Sequence, residues 1–138
     1  MSVLIDSNIW IYYLDGSLPE HKLAVKFIED ILEKESIVIT SIIIIEVCHY
    51  LYKRLGSEKG HEKSEMFILG GFNIIDFDQA DLLNFRDIFK QKNHLGLGGR
   101  DISILTCMKK ENIRKIVTHD KSFNYLKDFE VIDPISMS

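Results

Sequence analysis

Five short apolar runs rich in β-branched residues recur along the chain, with helical patterns between them. They are "SVLID" (2–6), "SIVIT" (36–40), "NIIDF" (73–77), "KIVTH" (115–119) and "FEVIDP" (129–134). Runs of this length and composition read as strands. Strands separated by helices are joined by right-handed crossovers, which give a parallel sheet covered on both faces. The spacing therefore predicts an α/β fold: a three-layer α/β/α sandwich with a mostly parallel sheet of about five strands. No linker, repeat or low-complexity stretch interrupts the 138 residues, which read as a single domain over 1–138.

The intervening helices are marked by period and punctuation. A short one spans 8–16 and closes at Gly16. After Pro19 an amphipathic helix places Leu23, Ala24, Phe27, Ile28, Ile31 and Leu32 on one face. A further helix over 78–92 turns Leu82, Phe85, Ile88 and Phe89 inward, and another over 99–111 does so with Ile102, Leu105 and Met108. The stretch "SIIIIE" (41–46) looks at first like strand, but strand two can end at Thr40. Ser41 is then an N-cap, and Ile44, Val47, Cys48, Leu51 and Leu55 recur at helical spacing up to Gly56. Isoleucine costs only a few tenths of a kcal/mol in helix propensity, which packing overrides.

In an open parallel sheet, function gathers at the carboxyl ends of the strands. Asp6 ends the first strand, Asp120 follows the fourth, Glu46 lies in the second turn of its helix, and Asp101 lies in the first turn of another. Each acid alone has an ordinary explanation, as a turn residue, a cap or a solvated helix face. Together they converge on one end of one sheet. Carboxylates a few ångströms apart repel by about 4 kcal/mol per pair at an effective dielectric near 20. Such a cluster protonates or binds cations, and hard divalent ions prefer all-oxygen ligands.

Four segments, "VLIDSNIWIYYL", "TSIIIIEVCHYL", "GGRDISIL" and "VTHDKSF", resemble in order the four acidic motifs of the PIN-domain ribonucleases, and most closely those of VapC-like toxins of type II toxin–antitoxin pairs. The match spans essentially the whole chain, and its most characteristic pieces are the "DSN" after the first strand and the T-x-D-x-x-F pattern of 118–123. The resemblance implies an endoribonuclease dependent on Mg²⁺ or Mn²⁺. Asp6 and Asp101 would be the principal metal ligands, and Glu46 and Asp120 would complete the acidic pocket. Thr118 would support the site with its hydroxyl, and Ser7 and Asn8 would order the turn holding Asp6. It also implies a homodimer and a small antitoxin whose tail covers the pocket.

Composition sets limits on this reading. The net charge is −4, so the chain lacks the strongly basic field of an obvious nucleic-acid binder. Local contacts to RNA phosphates would fall to Arg100, Lys53 and Arg54, with Lys59 and Lys63 beyond them; a solvated surface is the ordinary reading for the lysines. Trp10, Tyr12 and Tyr13 suit base stacking, a core or a dimer face. Cys48 and Cys107 read as reduced core residues, and the five histidines show no ligand spacing. "GLGG" (96–99) lacks the Lys-Ser/Thr of a phosphate loop and reads as a helix entry. No secretory signal or membrane span is expected, which suggests a cytoplasmic protein.

Two other readings use the same residues differently. A housekeeping RNA-processing nuclease would need the same four acids. A phosphate-transfer module of the receiver type would draw on Asp76 and Asp78 near the third strand and leave Glu46 and Asp120 idle, while a haloacid-type phosphatase needs an aspartate where Asn8 stands.

Overall fold

A computed structural model describes residues 1–136. Its strands, β1 (Ser2–Ile5), β2 (Ser36–Thr40), β3 (Asn73–Ile75), β4 (Lys115–Val117) and β5 (Glu130–Ile132), form one sheet in the order β3-β2-β1-β4-β5. Every pairing is parallel. β1 is the central strand: Leu4 pairs with Val38 on one side and Ile116 on the other, and Val3, Leu4 and Ile5 are fully buried. Each such side chain contributes roughly 1.5–3 kcal/mol by leaving water. The α/β sandwich expected from the spacing is the one observed.

The chain steps outward from β1 to β2 and β3, then returns across the sheet to β4 and β5. That reversal lies between β1 and β4, and it opens a crevice at their carboxyl ends. The outward leg carries α1 (Ser7–Leu14), α2 (His21–Leu32), α3 (Ser41–Leu55) and α4 (Ser57–Ile68). The return carries α5 (Gln79–Lys92) and α6 (Gly99–Lys110), and right-handed crossovers in opposite directions put the two groups on opposite faces. Within α6, every residue from Ile102 to Met108 is buried, so this helix is packed on all sides.

Local chemistry sets the boundaries near the site. Thr40, one residue before the expected cap, accepts the Ile43 amide at 3.1 Å through Oγ1. Ser41 is instead the first helical residue, and its hydroxyl receives the Phe77 amide at 3.2 Å, tying α3 to the segment after β3. The helix buries Ile43, Val47 and Leu51, whereas Ile45 is 68% exposed. The isoleucine run thus wraps a helix. Leu32, the last residue of α2, and Leu82, expected inside, are exposed, and the buried stripe falls on Ala24, Ile28 and Ile31 and on Ile88.

Helix α4 has little apolar signal of its own and is held by close approach to α3. A Cβ on Gly60 would lie 2.7 Å from the Tyr52 Cα and 2.8 Å from the Leu51 carbonyl oxygen. Only glycine lets the two backbones meet there. Phe67 of α4 packs on Trp10 with ring centroids 5.0 Å apart, and Phe72 does so at 4.8 Å. Trp10 is fully buried and donates Nε1–H to the Ile5 carbonyl at 3.0 Å, so it belongs to the core and cannot stack a base. Both cysteines are free; burial pushes the Cys107 thiol up to about 11, and it is chemically quiet. Among the described residues, no helix is long and apolar enough to cross a membrane.

Candidate active site

The turn after β1 is organised around Asp6, whose side chain is fully buried. Asp6 is the N-cap of α1, and its Oδ1 accepts the Ser7 amide at 2.7 Å. The other oxygen, Oδ2, accepts the Thr118 hydroxyl at 2.8 Å and the Asn8 amide at 3.4 Å. Asn8 also donates to Thr118 Oγ1 at 3.2 Å and accepts the His119 amide at 3.1 Å. Thr118 in turn accepts the Asp120 amide at 3.0 Å. One hydrogen-bonded bracket therefore joins the carboxyl ends of β1 and β4, on either side of the reversal in strand order. The three residues expected to support the site, Ser7, Asn8 and Thr118, all bond to Asp6 or to one another.

Glu46 enters from α3 and Asp101 from the first turn of α6. What gathers them is Arg100. Its Nε donates to both Glu46 oxygens, at 2.6 and 2.7 Å, and one terminal nitrogen donates to Asp101 Oδ1 at 2.8 Å. The other terminal nitrogen donates to Asp6 Oδ1 and, at 2.9 Å, to the Ser7 hydroxyl. Burial works against the Arg100 charge, but Asp6, Glu46 and Asp101 outweigh it and hold its proton more firmly than usual. Burial pushes the Asp101 carboxyl above its ordinary range; Arg100 opposes this, while Asp120 and Asp6 add to it.

Asp120 is the fourth acid and stands apart from the guanidinium. It caps the 3-10 turn Lys121–Tyr125, accepting the Ser122 amide at 3.0 Å and hydroxyl at 2.8 Å on Oδ1. Its field still reaches Asp101. Beside it, His119 Nδ1 lies 2.8 Å from Asp133 Oδ2. Burial raises the Asp133 carboxyl, but bonds from His119 and Ser136 hold it below the usual range.

Of the residues considered for RNA contact, Lys53 and Arg54 sit in the last turn of α3, and the Arg54 charge bears on Asp15. Arg100 lies inside the acidic pocket. One signal of this was present in the sequence: a cation in the first turn of a helix opposes the dipole, so something else must hold it. Asp78, which a receiver-type reading would use, is committed to a capping box with Asp81 at the start of α5.

A hard divalent ion suits the donors, since all four acids offer oxygen. Among the described residues, however, no three His, Cys, Asp or Glu side chains converge closely enough to hold an ion. Asp6, Glu46 and Asp101 are arranged around the guanidinium instead.

The sequence model of the PIN domain matches residues 3–128. The chain belongs to the PIN-domain family. Ribonuclease VapC23 of Mycobacterium tuberculosis is 24% identical over 118 residues, covering 86% of this PIN domain and 92% of the relative. Among solved structures, VapBC2 of Rickettsia felis bound to a promoter DNA fragment superposes with a TM-score of 0.76 at 21% identity, covering 95% of this chain and 97% of that one. A toxin–antitoxin complex from Klebsiella pneumoniae gives a TM-score of 0.70 at 21% identity, covering 96% and 97%. These likenesses establish the fold.

Proposed function

We propose that this PIN domain, as one unit over residues 1–138, is an endoribonuclease dependent on Mg²⁺ or Mn²⁺ and the toxin of a toxin–antitoxin pair. The observation that carries the reading is the meeting of Asp6, Glu46 and Asp101 on one guanidinium, with Asp120 alongside, where the strand order reverses. Family membership and the name ribonuclease on a relative of nearly full coverage support RNA as the substrate.

Asp6 and Asp101 are the principal ligands, with Glu46 and Asp120 completing the set. A divalent ion bound there supplies an activated water and charge neutralisation at the phosphate. The chain's own contribution is placement. Thr118 and Asn8 hold Oδ2 of Asp6 while the Ser7 amide holds Oδ1, which fixes the carboxylate plane. The Asp120 amide bond to Thr118 sets the second edge of the pocket in register with the first. Lys53 and Arg54, at the exposed end of α3, are the cations available to backbone phosphates, and Arg100, paired with Asp6, Glu46 and Asp101, would join them only once released from those acids.

A small antitoxin, a homodimer and a cytoplasmic setting complete the proposal. The solved toxin–antitoxin neighbour supports the first. Exposed apolar side chains on α3 and α4, among them Ile45, Tyr52, Met66 and Ile68, support protein partners. The test is direct: incubate the purified chain with total RNA and Mg²⁺ or Mn²⁺, with and without EDTA. Fragments with discrete ends that vanish with EDTA are expected. Cleavage that persists in EDTA would sink the metal-dependent reading.

A further inference from the structure

Four carboxylate oxygens, on the three acids Asp6, Glu46 and Asp101, already accept from one side chain of this same protein. We infer that Arg100 is the resident counter-cation of the acidic pocket, and that its guanidinium and a divalent ion are alternative occupants of the same carboxylate oxygens. The inference rests on the metal-dependent reading above and deepens it, by naming the residue that sets how tightly the metal binds.

Asp6 provides the first argument. A fully buried carboxylate must be paired or neutralised, since an isolated buried charge is very costly. Its Oδ2 is committed to Thr118 and Asn8, both part of the bracket that joins β1 to β4. The remaining oxygen, Oδ1, takes the Ser7 amide and Arg100. With Oδ2 tied into the bracket, the oxygen most readily shared with an ion is Oδ1, the one that Arg100 holds.

Glu46 provides the second. Both of its oxygens receive the same Nε of Arg100, at 2.6 and 2.7 Å, so a metal approaching Glu46 would meet both oxygens already facing a cation while the guanidinium stays. The third argument is the lack of convergence. Among the described residues no metal-holding group of three forms, although three acids share one partner. A planar guanidinium directs its N–H groups outward in a fixed fork, and so spreads its acceptors around its rim. A small ion draws them to a point. The two arrangements exclude each other.

Arg100 is able to leave. Its side chain is 28% exposed, and it starts from the first turn of α6, directly after Gly98 and Gly99. One positive charge against four carboxylates leaves the cluster net acidic, so a doubly charged ion has a driving force to replace it.

The experiment uses the full chain and its Arg100→Gln, Arg100→Lys and Arg100→Ala variants. Mn²⁺ binding is measured by calorimetry, and thermal melting is followed with Mn²⁺ or with EDTA. Arg100→Gln is expected to bind Mn²⁺ more tightly by about tenfold or more, the scale of losing one partly screened set of ion pairs. In EDTA it melts below the parent chain, and Mn²⁺ raises its melting temperature by more. Arg100→Lys falls between, since one ammonium cannot bridge three carboxylates. In Arg100→Ala, added methylguanidinium raises the metal-free melting temperature and weakens Mn²⁺ binding, which a merely structural arginine would not produce. Equal Mn²⁺ affinity in parent and Arg100→Gln overturns the inference while leaving the metal reading intact. Absence of Mn²⁺ binding in every protein overturns both.

Discussion

Two groups of buried acids in this small domain are held in opposite ways. Asp81 and Asp15 are each enclosed by donors. Asp81 accepts the Asp78 amide side of a capping box through reciprocal bonds at 2.9 Å and pairs with Lys110 at 2.9 Å. Asp15 accepts the Ser17 amide and hydroxyl at 3.0 and 2.6 Å and the Tyr50 hydroxyl at 2.7 Å. Burial pushes both carboxyls up, yet these bonds win and hold them below the ordinary range. Asp101 has the reverse outcome: burial and its acidic neighbours prevail over Arg100. The first pair of acids stabilises the fold by being charged. The second site keeps charge at a cost to the fold, as a binding site does before its ligand arrives.

The largest expected effect lies in the acidic pocket. Asp6→Asn should lower RNA cleavage by roughly 10³-fold, the order seen when one preorganised electrostatic group is removed. Its melting temperature should also fall, though by far less than the rate, because the amide has one acceptor oxygen and cannot serve both the Ser7 amide and the Thr118 hydroxyl. Rate and melting curve measured together check this; an unchanged cleavage rate would remove Asp6 from the chemistry.

Asp81→Ala should do the opposite, sparing the site and costing about 2 kcal/mol of stability through the lost reciprocal half of the capping box and a lost charge-assisted bond to Lys110. Asp15→Asn is expected to cost less, about 1 kcal/mol, since part of its hydrogen bonding survives. The pH dependence of both follows from the sign of their displacement. A carboxyl held below its unfolded value contributes stability above that value, about 3.9, and loses it as pH falls through the folded one. Acid melting curves of the parent chain should therefore fall below about pH 4, and each variant should lose part of that slope.

Much of this organisation is legible in the amino-acid sequence. The sheet followed from where the β-branched runs lie, and Glu46 could be placed on a helix because Val47, Leu51 and Leu55 share a period. Whether Thr40 or Ser41 caps that helix was not legible, since both are good caps and period does not separate neighbours. Helix α4 was missed because it buries little beyond Gly60, Ser64 and Phe67, and its glycine serves a contact with α3 that only packing reveals. The bonds that Arg100 makes in the pocket were not legible for a different reason. A long side chain reaches any of several acceptors, and sequence position alone does not say which; here it reaches three acids from three separate elements.

The smallest expected effect tests the comparison most sharply, because its sign is reversed. The Asp101 carboxyl sits above its unfolded value, so folding favours its protonated form. Below the unfolded value the group is protonated in both states and stability is complete; as pH rises through the folded value, ionisation erodes it. At neutral pH in EDTA, Asp101→Asn should therefore melt slightly above the parent chain, whereas Asp81→Ala and Asp15→Asn melt below it. Mn²⁺ should narrow or reverse the Asp101→Asn advantage, since an ion bound by the parent would restore what the charge had cost. A lower melting temperature for Asp101→Asn in EDTA would mean that its bond to Arg100 outweighs burial, and the two groups of acids would then be held alike.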